Sequence, residues 1–219
     1  QNADPAATDC TFLVDLAEGK KSLPDPPIAS IGYQASIVIT PQQEADMDIK
    51  ATLNNLLIPY TSNYAGTLLP GIREYTVTPG EKTTTISGKG KAGLKQEENY
   101  YFFYLPVCYK GITGKSYAYY NTSRSKNLYL PASVDENYSY DIQLPENLTL
   151  CTPIQEKKID NPIGSFKITL TSEGSSLHIE LALQIKKQLI TPAEYPAFRS
   201  LITEWTDRTR KPILFKTVQ

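Results

Sequence analysis

The chain has 219 residues and a formal net charge of −1, with 22 Lys and Arg against 23 Asp and Glu. The basic residues are scattered, which excludes the clustered positive footprint of a nucleic-acid or anionic-membrane binder, and no apolar run approaches the roughly 20 residues needed to cross a bilayer. A hydrophobic content of 40% is enough to bury a core, as one large or two small domains.

Residues 1–30 are polar and rich in proline, densest at Pro24-Asp25-Pro26-Pro27, and read as a linker or leader in which only Thr11-Phe12-Leu13-Val14 can form a short strand. The start, Gln1-Asn2-Ala3-Asp4-Pro5, is not a signal peptide, so the expectation is a cytosolic protein or one whose targeting segment has been removed. Residues 31–99 read as a first β unit. A strand at Tyr33 to Thr40 turns through Pro41-Gln42-Gln43 into a second, in which Met47, Ile49, Ala51 and Leu53 alternate with Asp46, Asp48, Lys50 and Thr52. Glu74 to Thr78 and Lys82 to Ser87 form two more short strands around Pro79-Gly80, and Lys89 to Asn99 reads as a charged, glycine-bearing connection where a domain boundary could lie.

Ten of the 15 tyrosines fall between Tyr100 and Tyr140. Tyr138, Tyr140, Ile142 and Leu144 alternate with polar residues, which is the pattern of one buried strand face. Packing at sheet margins is the first reading of this tyrosine density; flat rings with a polar edge are also what a carbohydrate-binding platform uses, and for that alternative the residues are Tyr117, Tyr119 and Tyr120. They are the candidate ligand-binding residues.

The most legible stretch is Ile163 to Val218. Phe166, Ile168 and Leu170 alternate with Lys167, Thr169 and Thr171, and Ser172-Glu173-Gly174-Ser175 supplies a turn. The second strand of this hairpin places Leu177, Ile179, Leu181, Leu183 and Ile185 on one face and His178, Glu180, Ala182 and Gln184 on the other. Thr191-Pro192-Ala193-Glu194 has the form of a capping box, and Tyr195, Phe198, Leu201, Ile202 and Trp205 follow at helical spacing. This predicts a helix over about 192–210, its regular part starting late because Pro196 lacks an N–H donor. Pro212-Ile213-Leu214-Phe215 closes the unit as a strand.

The motifs that could carry chemistry each lack a needed part. Gly88-Lys89-Gly90-Lys91-Ala92-Gly93 matches G-x-G-x-x-G, but no crossover helix follows it, and it reads as a loop. Gly111-Ile112-Thr113-Gly114-Lys115-Ser116 ends like a P-loop with too few residues between its glycines. Cys10, Cys108 and Cys151 lack the paired spacing of a zinc site; idle thiols are the first reading and a Cys108–Cys151 disulfide the second. A cysteine nucleophile needs an imidazole base, and the sole histidine, His178, lies on the polar side of its strand. Asp46 and Asp48 share an outward face without further ligands. Three triplets, beginning at Asn121, Asn137 and Asn147, fit the N-glycosylation pattern. No catalytic residue, cofactor or metal ligand is assigned.

Tyr138-Ser139-Tyr140-Asp141-Ile142-Gln143-Leu144-Pro145-Glu146, Asn161-Pro162-Ile163-Gly164-Ser165-Phe166, Leu177 to Ile185, Ile190 to Arg199 and Ile213-Leu214-Phe215-Lys216 carry a resemblance in order and spacing. Over roughly residues 100–219 the chain resembles the C-terminal β-domain, of unknown function, of transglutaminase-like exported proteins of Bacteroidetes. The resemblance implies an N-terminal β-domain, a papain-like core with Cys, His and Asp, and this C-terminal domain, in the periplasm or at the cell surface. No position here matches the catalytic motif.

The expectation is therefore an all-β protein, an antiparallel β-sandwich of one or two units (31–99 and 100–219) with one amphipathic helix packed on the last sheet. Its expected role is non-catalytic, docking on or positioning an upstream transglutaminase- or protease-like core. The alternative is a carbohydrate- or surface-polymer-binding module.

Overall fold

Strict alternation of apolar and polar residues decides the largest element. The computed structural model describes residues 28–54, 68–69, 71–108, 123–207 and 212–218, which form fourteen strands and a helix. In β1 (Ile28–Ile39), Ile31, Tyr33, Ala35, Ile37 and Ile39 are buried and the residues between them face out. β2 (Glu44–Asn54) repeats the pattern with Ala45, Met47, Ile49, Ala51 and Leu53. With period-two side chains, one antiparallel register keeps both apolar sets on one face, and that register pairs Tyr33 with Ala51 and Ile37 with Met47.

The hairpin continues through β4 (Thr83–Gly93) to the edge strand β3 (Ile72–Pro79). On its other side β1 runs parallel to β8 (Ser133–Gln143), followed by β12 (Ser176–Ile185), β11 (Gly164–Glu173) and β10 (Gln155–Asn161). The result is one eight-stranded sheet, β10-β11-β12-β8-β1-β2-β4-β3. It draws strands from both sides of residue 99. The parallel pair sets Tyr33 beside Tyr138, ring against ring, and Ala35 beside Tyr140, where the small residue leaves room for the large one.

A second sheet of four strands covers the inner face: β5 (Lys95–Glu97), β6 (Tyr100–Tyr104), β14 (Pro212–Thr217) and β9 (Leu148–Leu150), in the order β5-β6-β14-β9. Its Tyr101, Phe103, Ile213, Phe215 and Leu148 share one core with the large sheet. β7 (Leu128–Tyr129) and β13 (Leu189–Ile190) form a separate two-stranded ribbon. Among the described residues the fold is thus all-β with one C-terminal helix, as the patterning predicts.

The helix α1 spans Tyr195–Trp205 and buries Tyr195, Phe198, Leu201, Ile202 and Trp205, the residues that helical spacing selects. It is shorter than the expected 192–210, and residues 208–211 lie outside the described residues. At its start the Thr191 N–H and hydroxyl donate to Glu194 Oε2 at 3.1 and 3.0 Å, making a turn that leads into the helix one residue before Pro196. Lys187 and Thr191 hold the Glu194 carboxyl down at about 2. The helix packs on β11 and β12. The Trp205 ring lies 6.4 Å from Phe166, edge-on, and 5.8 Å from Tyr138. The last strand, β14, belongs to the four-stranded sheet, and its Ile213 and Phe215 join the helix residues in the one core.

One segment departs from expectation. Gly88 to Gly93 reads as loop, yet it is strand β4, hydrogen-bonded on one side to β2 and on the other to β3. The pairing of β3 shifts register between Ile72 and Glu74, and this irregularity drives its backbone against β4. A Cβ at Gly88 would lie 2.2 Å from the Glu74 carbonyl oxygen, and one at Gly90 would lie 2.6 Å from that of Gly71. Here glycine serves close approach of two backbones. A Cβ at Gly93 meets nothing within 4 Å. Gly88→Ala should therefore cost about 1–3 kcal/mol in urea unfolding, and Gly93→Ala well under about 1 kcal/mol; equal costs would contradict the register shift.

Candidate recognition surface

The face of the large sheet turned away from the core is mainly polar, with Val38 an exposed apolar residue on it. Register alignment produces a transverse row, Thr171, His178, Asp141, Ser36, Asp48, Lys89 and Glu74, taking one residue from each of seven strands. At the usual strand spacing such a row spans about 29 Å. Three shallow, open depressions of about 660, 560 and 470 Å³ follow this row. Ser36 lines all three, Asp141 joins the first to the second, and Asp48 and Lys89 join the second to the third. They amount to one trough running across the strands.

Charge is divided along it. At one end Lys91 pairs with Asp46 at 3.1 Å and Glu44 at 3.4 Å, beside Lys89 and Arg73. At the other, the His178 Nδ1 lies 2.7 Å from Asp141 Oδ1 and its Nε2 lies 3.5 Å from Glu180 Oε1, while Lys167 Nζ reaches Glu180 Oε2 at 2.7 Å. The hydrogen bond to Asp141 raises the imidazole pKa; partial burial opposes it and Glu180 adds to it. Lys167 first, and His178 second, hold the Glu180 carboxyl below its ordinary range. The His178 side chain is 43% exposed, so solvent screens these pairs.

The residues singled out from sequence are dispersed. Tyr117, Tyr119 and Tyr120, the Gly111–Ser116 motif and Cys10 lie outside the described residues. Tyr138 and Tyr140 are buried as expected; the Tyr140 hydroxyl donates to the Pro106 carbonyl at 2.6 Å and that of Tyr138 to Glu136 at 3.2 Å. Cys108 is fully buried with the inner-face tyrosines, Cys151 is half-buried, and neither is in a disulfide, so the Cys108–Cys151 bridge does not form. His178 faces outward. The sheet stands between Cys108 and His178, and they do not form a nucleophile–base pair. Asp141 accepts from the histidine but lies between it and Ser36 in the row, so these three are not ordered as a serine triad. Among the described residues no group of three or more His, Cys, Asp or Glu is placed to hold a metal ion, and no described helix is long and apolar enough to cross a membrane.

Asp141, Ser36 and Lys89 were not singled out by sequence reasoning. Alternation assigns them to an outer face, but their adjacency arises from pairings between distant strands.

Comparisons with known proteins place these observations in context. The model of a family described as "Domain of Unknown Function with solved-structure structure (DUF3858)" matches residues 99–215. No curated protein matches. A solved structure described as that of a "putative protease" from Parabacteroides distasonis ATCC 8503 is 31% identical over 56% of this chain, with a TM-score of 0.49. The match covers 24% of that longer chain.

The His178 environment has a testable consequence. Its pKa is raised on folding, so its stabilising contribution is full below about pH 6.5 and fades as pH rises through the folded value. Asp141→Asn should bring the His178 titration midpoint, followed by imidazole NMR, back down toward about 6.5; an unchanged midpoint would show that Asp141 does not set it.

Proposed function

The chain belongs to the DUF3858 family, and from that premise we propose that it is a non-catalytic β-domain that docks on or positions a transglutaminase- or protease-like core, in the periplasm or at the cell surface. The observation that carries this reading is the trough. It is a long, open face bearing both signs of charge, which suits recognition of a protein surface more than enclosure of a small substrate. The nature of the partner comes from the sequence resemblance, in which a domain of this kind follows such a core. The separation of Cys108 from His178 is in keeping with a non-catalytic role. Among the described residues lining the trough there is no Tyr, Trp or Phe to stack on a sugar ring.

The test is association between residues 1–219 and the core encoded in the same reading frame, by sedimentation velocity. The account predicts a complex that the double reversal Asp48→Lys and Asp141→Lys weakens at least about tenfold, with the unfolding midpoint of the isolated domain little changed. A frame without such a core, no association, or association indifferent to the reversal would overturn it.

A further inference from the structure

On the far side of the molecule from the trough, the solvent face of α1 and the segment at Ser123 and Arg124 enclose a second depression, of about 440 Å³. Pro196, Arg199, Ser200 and Thr203 form one wall, since these positions share a helical stripe. Arg124 forms the other. Its guanidinium carbon lies 5.7 Å from the centre of the Tyr195 ring, a cation–π contact that restrains the side chain.

The charges here do not cancel. Glu204 also lines the depression, but its carboxylate is met by Lys157 at 2.5 Å. Among the described residues neither Arg124 nor Arg199 forms an ion pair with a carboxylate. Two arginine side chains therefore line one depression, in a chain whose net charge is −1. Each offers a planar fork of donors that fits a carboxylate through two parallel hydrogen bonds. Pro192, Pro196 and Tyr195 add an apolar floor that suits the methylenes beside an acidic group.

We propose that this depression is a carboxylate-binding site that receives the acidic side chains of an extended polypeptide segment. A carboxylate on a short methylene stem matches both the paired arginines and the proline- and tyrosine-lined floor. The site is independent of the trough and of what docks there.

The probe is a hexaglutamate peptide titrated into the whole chain at low ionic strength, with hexaglutamine and inorganic phosphate as comparators. Binding is followed by fluorescence anisotropy of the labelled peptide and by NMR of the arginine Nε–H groups. The expected result is saturable binding of hexaglutamate that shifts the Arg124 and Arg199 signals, falls about tenfold with Arg124→Gln or Arg199→Gln, and is unaffected by Lys126→Gln. Because the NMR readout uses the unaltered chain, it stands even if a variant folds poorly. Equal binding of hexaglutamine, shifts confined to other arginines, or binding of phosphate without the peptide would overturn the assignment.

Discussion

The parallel pairing of β1 with β8 is the constraint on which the rest of the structure depends. It aligns Ile28 through Val38 with Ser133 through Gln143, and in doing so welds the N-terminal strands to the segment that matches the family. Without it, the β1–β2–β4–β3 set and the β8–β12–β11–β10 set would each expose an apolar edge strand. The seam also builds the centre of the core. Tyr33 from one side meets Tyr138 and Tyr140 from the other, with ring centres 5.4 and 5.7 Å away. Burial pushes all three phenol pKa values up and keeps them neutral, with the nearby Cys108 thiol adding to the effect at Tyr33.

What happens inside the seam determines what is displayed outside it. Because side chains alternate, burying Ala35, Ile37, Tyr140 and Ile142 obliges Ser36 and Asp141 to point outward, side by side. Asp141 then meets His178 across the next pairing and Ser36 meets Asp48 across the one beyond. The trough is thus a by-product of register. Its charges are individually weak, since each pair is well exposed, but their order along about 29 Å is fixed by backbone hydrogen bonds.

Local signals in the sequence suffice for β11, β12 and the buried face of α1, though not for the ends of the helix. The turn and the periodicity lie within a few residues of the elements they specify. β4 was truncated because glycine has two meanings, a flexible joint or a place where another backbone comes close, and only the position of β3 distinguishes them. The parallel β1–β8 pairing was not legible at all, since neither strand carries a local mark of its partner. For the same reason, alternation placed His178 and Asp141 on polar faces without revealing that they touch. Alternation places Asp46 and Asp48 outward, but the ion-pair partner of Asp46, Lys91, and the register neighbour of Asp48, Lys89, fall in the segment that reads as loop.

The central claim is that the outer sheet face, continuous across the seam, is the surface used for docking. Val38 and His178 lie on this face on either side of the seam, and Tyr129 and Leu189 are exposed on the two-stranded ribbon away from it. Hydroxyl-radical footprinting of the complete gene product, compared with residues 1–219 alone, reads all four side chains at once. The account predicts that Val38 and His178 become protected in the complete product while Tyr129 and Leu189 do not. Unchanged oxidation of Val38 and His178 would contradict it.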